Sequence, residues 1–475
     1  MPATLKGALY SHPILGKPSD TSSNGVRTVR WSLDNRGTRR LEDGVPKMDR
    51  DVAVSFSTMD WARAAAGMRE TLAGLEEREP EVIAFAKEAA QGKTGKELVA
   101  AVVDKVGETV RESNASLLSD VSFGSASGAQ TTTARTIITD REGSRTWLIV
   151  RTLRELGIQT DVIVAENEPF SATPNFPPHL NRFAHPLAVA HVGRSGPNEA
   201  HNSTYSPGED VWIDADVSGP PLPAGRTSPE LRGRMTIAQD GTLAPMPDLN
   251  TDKTKERDEI DLRLVVDASG DAKGSLTILL RGREAQEVSE ALFRVVGIER
   301  ERALRGIALG WVPAANVDQV ALSSSEGSWQ VALRAEISAP GFAQQDGKQW
   351  VLPGIDPIHL VYPRPAVSTL GASYASQGGR QEALAISRAI QYHVHRRIEL
   401  PAGSTVARAP GPLDLKTANL EASRKLTVAA NVIEEEIALG ISTGTVPPAQ
   451  YDAFVQGAHK VDDAFLASIR VVAAK

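Results

Sequence analysis

The fold turns on the stretch Gly143-Ser144-Arg145-Thr146-Trp147-Leu148-Ile149-Val150-Arg151-Thr152-Leu153-Arg154-Glu155-Leu156-Gly157-Ile158, a strongly apolar segment bounded by helix signals at both ends. The spacing predicts a helix over 145–156. Ser144 stands at the N-cap, where a short hydroxyl can accept an orphan N–H of the first turn. Gly157 is the stop, because glycine enters the left-handed conformation of a helix end without steric cost. Downstream, Asp161 to Ala165 (DVIVA) reads as a buried strand, and Pro186 to Val192 and Asp210 to Asp214 as two more. A Pro- and Asn-rich loop over 166–181 lies between them, and Gly219 to Arg226 is a Pro-rich exit. Upstream, the small polar residues 115–139 predict a long loop. Thr94 and Glu97 form a capping box ahead of Leu98, Val99, Val102, Val103 and Val106, whose spacing gives a helix one apolar stripe and an end near Asn114.

The outer regions have a different texture. Val26 to Asp34 and Asp51 to Phe56 alternate as strands do, and a helix is expected from Ser57 through Trp61 and Met68. After Lys253, a hairpin is expected around Ser269-Gly270-Asp271, then a charged helical stretch over 284–307. Short alternating strands with Gly, Pro and Ser turns fill 317–437, the pattern of a β-sandwich, and 447–471 reads as a closing helix. The expected fold class is therefore α+β. The expected domains are 1–78 (a partial β-rich domain), 79–252 (the core) and 253–475 (β-sandwich with closing helix).

Composition narrows function. The 475 residues are too many for one ordinary core. The net charge of −7 gives no global case for nucleic-acid binding, and the pairs Arg39-Arg40 and Arg396-Arg397 read as solvated surface. There is no cysteine, which excludes disulfides, thiolate metal sites and thiol catalysis. No apolar run is long enough to span a bilayer, and the first twenty residues carry no signal-peptide core. On that ground the chain is expected to be cytoplasmic, or to lack its original N-terminus.

Three stretches, in order, resemble the transglutaminase-like superfamily. Gly143 to Ile158 is similar to the family's nucleophile helix, Arg182-Phe183-Ala184-His185-Pro186-Leu187-Ala188-Val189 to the strand that carries its histidine, and Val211-Trp212-Ile213-Asp214 to the strand that carries its acid. Glu230-Leu231-Arg232-Gly233-Arg234 is similar to the segment directly after that core in many relatives. Trp31 to Asp34 and Ser57 to Trp61 resemble the end of a bacterial β-domain that precedes it, and Tyr392 to Gly403 and Pro447 to Phe454 resemble a companion C-terminal β-domain. The resemblance implies a papain-like core flanked by β-sandwich domains, and a bacterial envelope or secreted protein.

The family's chemistry needs a thiol acidified at a helix N-terminus, a histidine base and a carboxylate that holds the imidazole. By resemblance, His185 and Asp214 match the last two roles. The first falls on Glu142 when counted back from Gly157, or on Arg145 when aligned on Gly143, and neither can form an acyl intermediate in that manner. The leading expectation is thus a catalytically inactive relative that binds a peptide or protein segment, with no cofactor and no metal. One alternative is an acyltransferase or hydrolase rebuilt around Ser144 or Glu142 with His185 as base. Another is a purely structural component of a larger assembly. Beside the roles stand plainer readings: Ser144 as a cap, His185 as a hydrogen-bonded strand residue, Asp214 as an organiser of the loop after its strand. His393 and His395 share one face of a strand, but two ligands make a weak metal site. Glu434-Glu435-Glu436 reads as a solvated edge.

Overall fold

A computed structural model of the chain describes residues 2–32, 42–45, 54–58, 60–73, 79–112, 133–166, 183–193, 210–217, 219, 221–247, 249, 257–293, 295–312, 315–326, 329–357 and 369–474. The chain divides into two compact units, Met1–Leu249 and Asn250–Lys475. Both mix helices and sheets, so the molecule is α+β. Among the described residues no helix is long and apolar enough to cross a membrane.

The first unit is built on a five-stranded antiparallel sheet. Its strands are β1 (Thr160–Glu166), β2 (Phe183–His191), β3 (Asp210–Ile213), β4 (Met235–Ala238) and β5 (Leu243–Pro245), in the order β5-β4-β1-β2-β3. Strand alternation sorts side chains between two faces. Val162, Val164, Ala188, Ala190 and Ile213 enter one core, while Ile163, Ala165, Leu187, Val189 and Trp212 enter another with Leu231 and Met246. Among the described residues the α-helices of this unit are α1 (Trp61–Ala73), α2 (Pro80–Ala90), α3 (Gly95–Thr109), α4 (Ala134–Asp140) and α5 (Arg145–Glu155). The first of those two cores takes the apolar stripes of α2 and α3 (Val82, Phe85, Val99, Val102, Val106) and the side chains Trp147 to Val150 and Leu153 of α5. Each large apolar side chain so buried contributes on the order of 1.5–3 kcal/mol.

Both ends of α5 follow from sequence. Ser144 Oγ accepts the Trp147 N–H at 3.2 Å. Gly143 is required sterically: its φ is +143°, and a Cβ there would lie 2.7 Å from the Ile137 side chain of α4. At the other end Gly157 has φ +79°. The Ile158 N–H then reaches the Leu153 carbonyl and the Gly157 N–H the Arg154 carbonyl, the paired bonds of a Schellman stop.

Several local expectations are corrected. The long loop expected over 115–139 contains α4, capped by Thr133, whose hydroxyl accepts the Thr136 N–H at 3.3 Å; the part before 133 lies outside the described residues. Thr94 sits at the N-cap of α3 without a side-chain capping bond, and α3 ends at Thr109, short of Asn114. Ser57 belongs to a strand, Val54–Ser57, and Asp60 instead accepts the Arg63 N–H at the start of α1. The loop expected over 166–181 lies outside the described residues from 167 onward.

The second unit is dominated by one eight-stranded sheet. Its strands are β6 (Asp258–Val266), β7 (Ala272–Arg281), β8 (Asn316–Glu326), β9 (Gln330–Ala339), β10 (Ile390–Glu399), β11 (Leu413–Lys416), β12 (Leu420–Ala429) and β13 (Val432–Ile441). They run in the order β8-β9-β7-β6-β10-β13-β12-β11, all antiparallel except for the parallel pair β6 and β10. A smaller four-stranded sheet (Gln344–Asp346, Gln349–Leu352, Ile469–Val472, Thr405–Arg408) shares its core. So do the helices α6 (Gly282–Phe293), α7 (Gly297–Trp311) and α8 (Pro448–Leu466). The alternating pattern predicts a β-sandwich with a charged helical stretch and a closing helix. The apolar stripes of these helices cover part of the large sheet's buried face, so the unit is layered from helices and sheets together.

Candidate functional site

The site forms where the start of α5 meets the ends of β2 and β3. Asp214, the residue after β3, is fully buried. Its Oδ1 lies 2.9 Å from His185 Nε2, and its Oδ2 accepts the Ser228 N–H at 2.8 Å. An ionised Asp214 is acceptor-only, so Nε2 carries the proton and Nδ1 is left as the imidazole's other functional atom. The His185 side chain is 20% exposed, so solvent or a ligand reaches this ring and not its acid. Burial works against the charged ring, but the charge and hydrogen bond of Asp214, aided by Asp216, outweigh it and raise the His185 pKa.

A third acidic residue joins the site from a distant segment. Arg111–Glu112 pairs in parallel with Glu142–Gly143, which carries Glu112 to the first turn of α5. There its Oε2 accepts the Arg145 N–H at 2.9 Å. A helix N-terminus ordinarily favours a carboxylate. Burial dominates here, and with the charge of Asp216 it pushes Glu112 up to about 8 against the opposing pull of the Arg145 N–H and of the Arg145 and His185 charges. Asp216 is likewise raised, by burial and then by Asp214, with His185 opposing. Glu112, Asp216 and the His185–Asp214 pair thus act on one another electrostatically. At neutral pH Glu112 is mostly a neutral acid, able to donate as well as accept.

Arg145 occupies the first helical position. Its guanidinium is buried and donates from Nε to the Val110 carbonyl at 2.7 Å and from one terminal nitrogen to the carbonyls of Val217 and Gly219. Burial lowers its pKa, and Glu112 partly compensates. Neither Arg145 nor Glu142 is hydrogen-bonded to His185 or Asp214: Glu142 is exposed and paired with Arg111 at 2.5 Å. Among the described residues no hydrogen bond joins Ser144 to His185.

The other candidates lie in the second unit. His393 and His395 project from the open face of β10. His393 bridges Glu259 (3.0 Å) and Glu436 (2.7 Å), and His395 faces Asp261 at 3.4 Å. Among the described residues no group of three or more His, Cys, Asp or Glu side chains could hold a metal ion. The solvated readings of Arg396 and Glu435 are corrected. Both alternate inward, and Glu435 is fully buried between Arg396 and Arg424. β13 is an internal strand of the sheet, which is why only Glu434 and Glu436 remain at the open face. Glu112 and Asp216 escape a reading of the sequence. Asp216 could have been suspected from Asp214-Ala215-Asp216, whereas nothing local marks Glu112.

No family model matches the chain, and no curated protein matches it by sequence. Its fold is similar to the crystal structure of a "putative protease" from Parabacteroides distasonis ATCC 8503, with a TM-score of 0.54 at 14% identity, covering 99% of this chain and 70% of that one. At that identity the likeness is one of fold.

Proposed function

We propose that the first unit is a transglutaminase-like core that has lost its nucleophile and binds a peptide or protein segment without modifying it. The observation that carries this is the state of the helix N-terminus. A reactive group belongs there, and instead Arg145 is buried against three backbone carbonyls while Ser144 caps its own helix. The chain has no cysteine to place there. What remains is a partly exposed imidazole held by a buried acid, with Glu112 pushed up to about 8 by burial at the helix start, polar groups suited to backbone amides of an extended ligand. The protease description of the structural neighbour favours a peptide as ligand class. By resemblance to relatives with such flanking domains, the protein works in the bacterial envelope or outside the cell; a cytoplasmic location is the alternative.

A second reading is favoured by the histidine paired with an acid, with Glu112 pushed up to about 8 by burial at the start of α5, a combination suited to general acid–base chemistry on a water. A pulldown from the native host with wild type beside His185→Ala/Asp214→Ala, paired with a peptide-hydrolysis assay, separates the two. Binding reads as one partner lost in the double variant with no turnover by wild type. Turnover that disappears in Glu112→Gln would replace the binding reading with the catalytic one.

A further inference from the structure

The histidine at the opposite end of β2 is held in a way the site does not use. His191 is 5% exposed, and both of its ring nitrogens face carboxylates: Nδ1 lies 2.7 Å from Asp210 Oδ1 on β3, and Nε2 lies 3.1 Å from Asp161 Oδ2 on β1. Its backbone N–H donates to the Gln159 carbonyl at 2.9 Å, which ties the end of β2 to the start of β1. A carboxylate only accepts, so both contacts are hydrogen bonds only when both nitrogens carry protons. A neutral ring can donate one of the two bonds and turns a lone pair on the other carboxylate.

The strand at stake is β3. It is the last strand of the sheet, pairs with β2 over four residues, accepts the Gly225 N–H on its Trp212 carbonyl at 2.7 Å, and leads directly into Asp214, whose carbonyl accepts the Leu222 N–H at 3.3 Å. Asp210, at its first residue, is tied across to His191; Asp214, just past its last, is tied across to His185. We propose that His191 is a proton-operated latch on this edge strand, closing it as an imidazolium and loosening it, with the Asp214 end, when the proton leaves. The charges of Asp161 and Asp210 act on the ring. Burial opposes the charged ring, but its hydrogen bonds to those two carboxylates prevail, so its pKa is raised. A raised pKa means the latch's stabilisation is fully present below the ordinary histidine value and is lost as pH rises through the higher folded value. The latch depends on the binding reading only for its consequence at the cleft, through Asp214.

The test uses the full chain without any partner, so it stands apart from the pulldown. Long-range proton–nitrogen NMR of the ring reports its protonation, and hydrogen exchange corrected for intrinsic rates reports strand opening. Both His191 nitrogens are expected to be protonated at slightly acidic pH. Protection of Val211 to Ile213 should fall by about ten-fold or more as the ring titrates, the loss expected for a charge-assisted bond, while Val162 to Val164 hold. His191→Gln should remove the step. Asp161→Asn, which keeps a hydrogen-bonding amide, should move it to lower pH. A neutral ring at acidic pH, protection independent of pH, a step that survives in His191→Gln, or an unmoved midpoint in Asp161→Asn would overturn the latch; the last comparison decides if His191→Gln fails to fold.

Discussion

At the scale of single residues, the site is governed by how its buried carboxyls are partnered. Asp214 receives two donors and sits as the acceptor of the pair, while Glu112, burdened by burial, is pushed up to about 8. The sign of the consequence is fixed by that shift. A carboxyl whose pKa is raised on folding stabilises the folded state most where it is protonated in both states, and this contribution is lost as pH rises from the ordinary carboxyl range through about 8. Glu112→Gln mimics the protonated form. The variant should therefore match wild type near pH 5 and exceed it near pH 9 by on the order of 1–2 kcal/mol, less than the full shift implies because the group is partly solvated. Urea unfolding at the two pH values measures this, and equal gains at both would show that Glu112 is not the group titrating. The short apolar strands that carry His185 and lead into Asp214 were legible in the sequence pattern, while the choice of those two residues came from the family resemblance. Glu112 was not legible, since its role arises from a parallel bridge to a segment that sequence pattern does not pair with it.

At the scale of elements, α5 was the most legible part of the chain. Its cap, apolar middle and glycine stop all point the same way, and the structure places them at Ser144, Trp147 to Leu153 and Gly157. Consistency between local signals and tertiary burial is what makes such an element readable. The helix α4 was less so, because a seven-residue segment of small and β-branched residues has little intrinsic helix signal and is held by packing of Ala134 and Ile137. The capping role of Ser144 makes a discriminating forecast. Ser144→Ala should cost about 1 kcal/mol of stability through the lost cap. Any peptide binding or turnover by the cleft should be unchanged once measured on folded protein. Loss of turnover in Ser144→Ala without loss of stability would instead mark this hydroxyl as a nucleophile.

At the scale of the whole molecule, each unit has its own core, and the second hides an ionic device that composition could not show. Glu435 on β13 is fully buried between Arg396 on β10 and Arg424 on β12. Arg396 also donates to the Pro353 carbonyl at 2.8 Å, and Arg424 donates to the carbonyl of Ala464 in α8 and to that of Ala467 just beyond it. One carboxylate thereby joins three adjacent strands, and through Arg424 ties them to the end of α8. In sequence these residues look like ordinary surface charges, because strand alternation alone does not reveal which face is covered. Replacing such a triad wholesale by apolar residues can be neutral, but removing one partner strands the others without compensation, at about 3–5 kcal/mol. Glu435→Ala leaves two buried guanidinium groups facing each other and should destabilise the second unit by that order. Glu435→Gln keeps the shape and one acceptor and should cost less. Hydrogen exchange resolved by segment gives the test: protection should drop across 390–399, 420–441 and 448–466 while 160–166 and 183–191 keep theirs. Equal loss in both units would show that their cores unfold as one, and no loss in the second would show that water already solvates the triad.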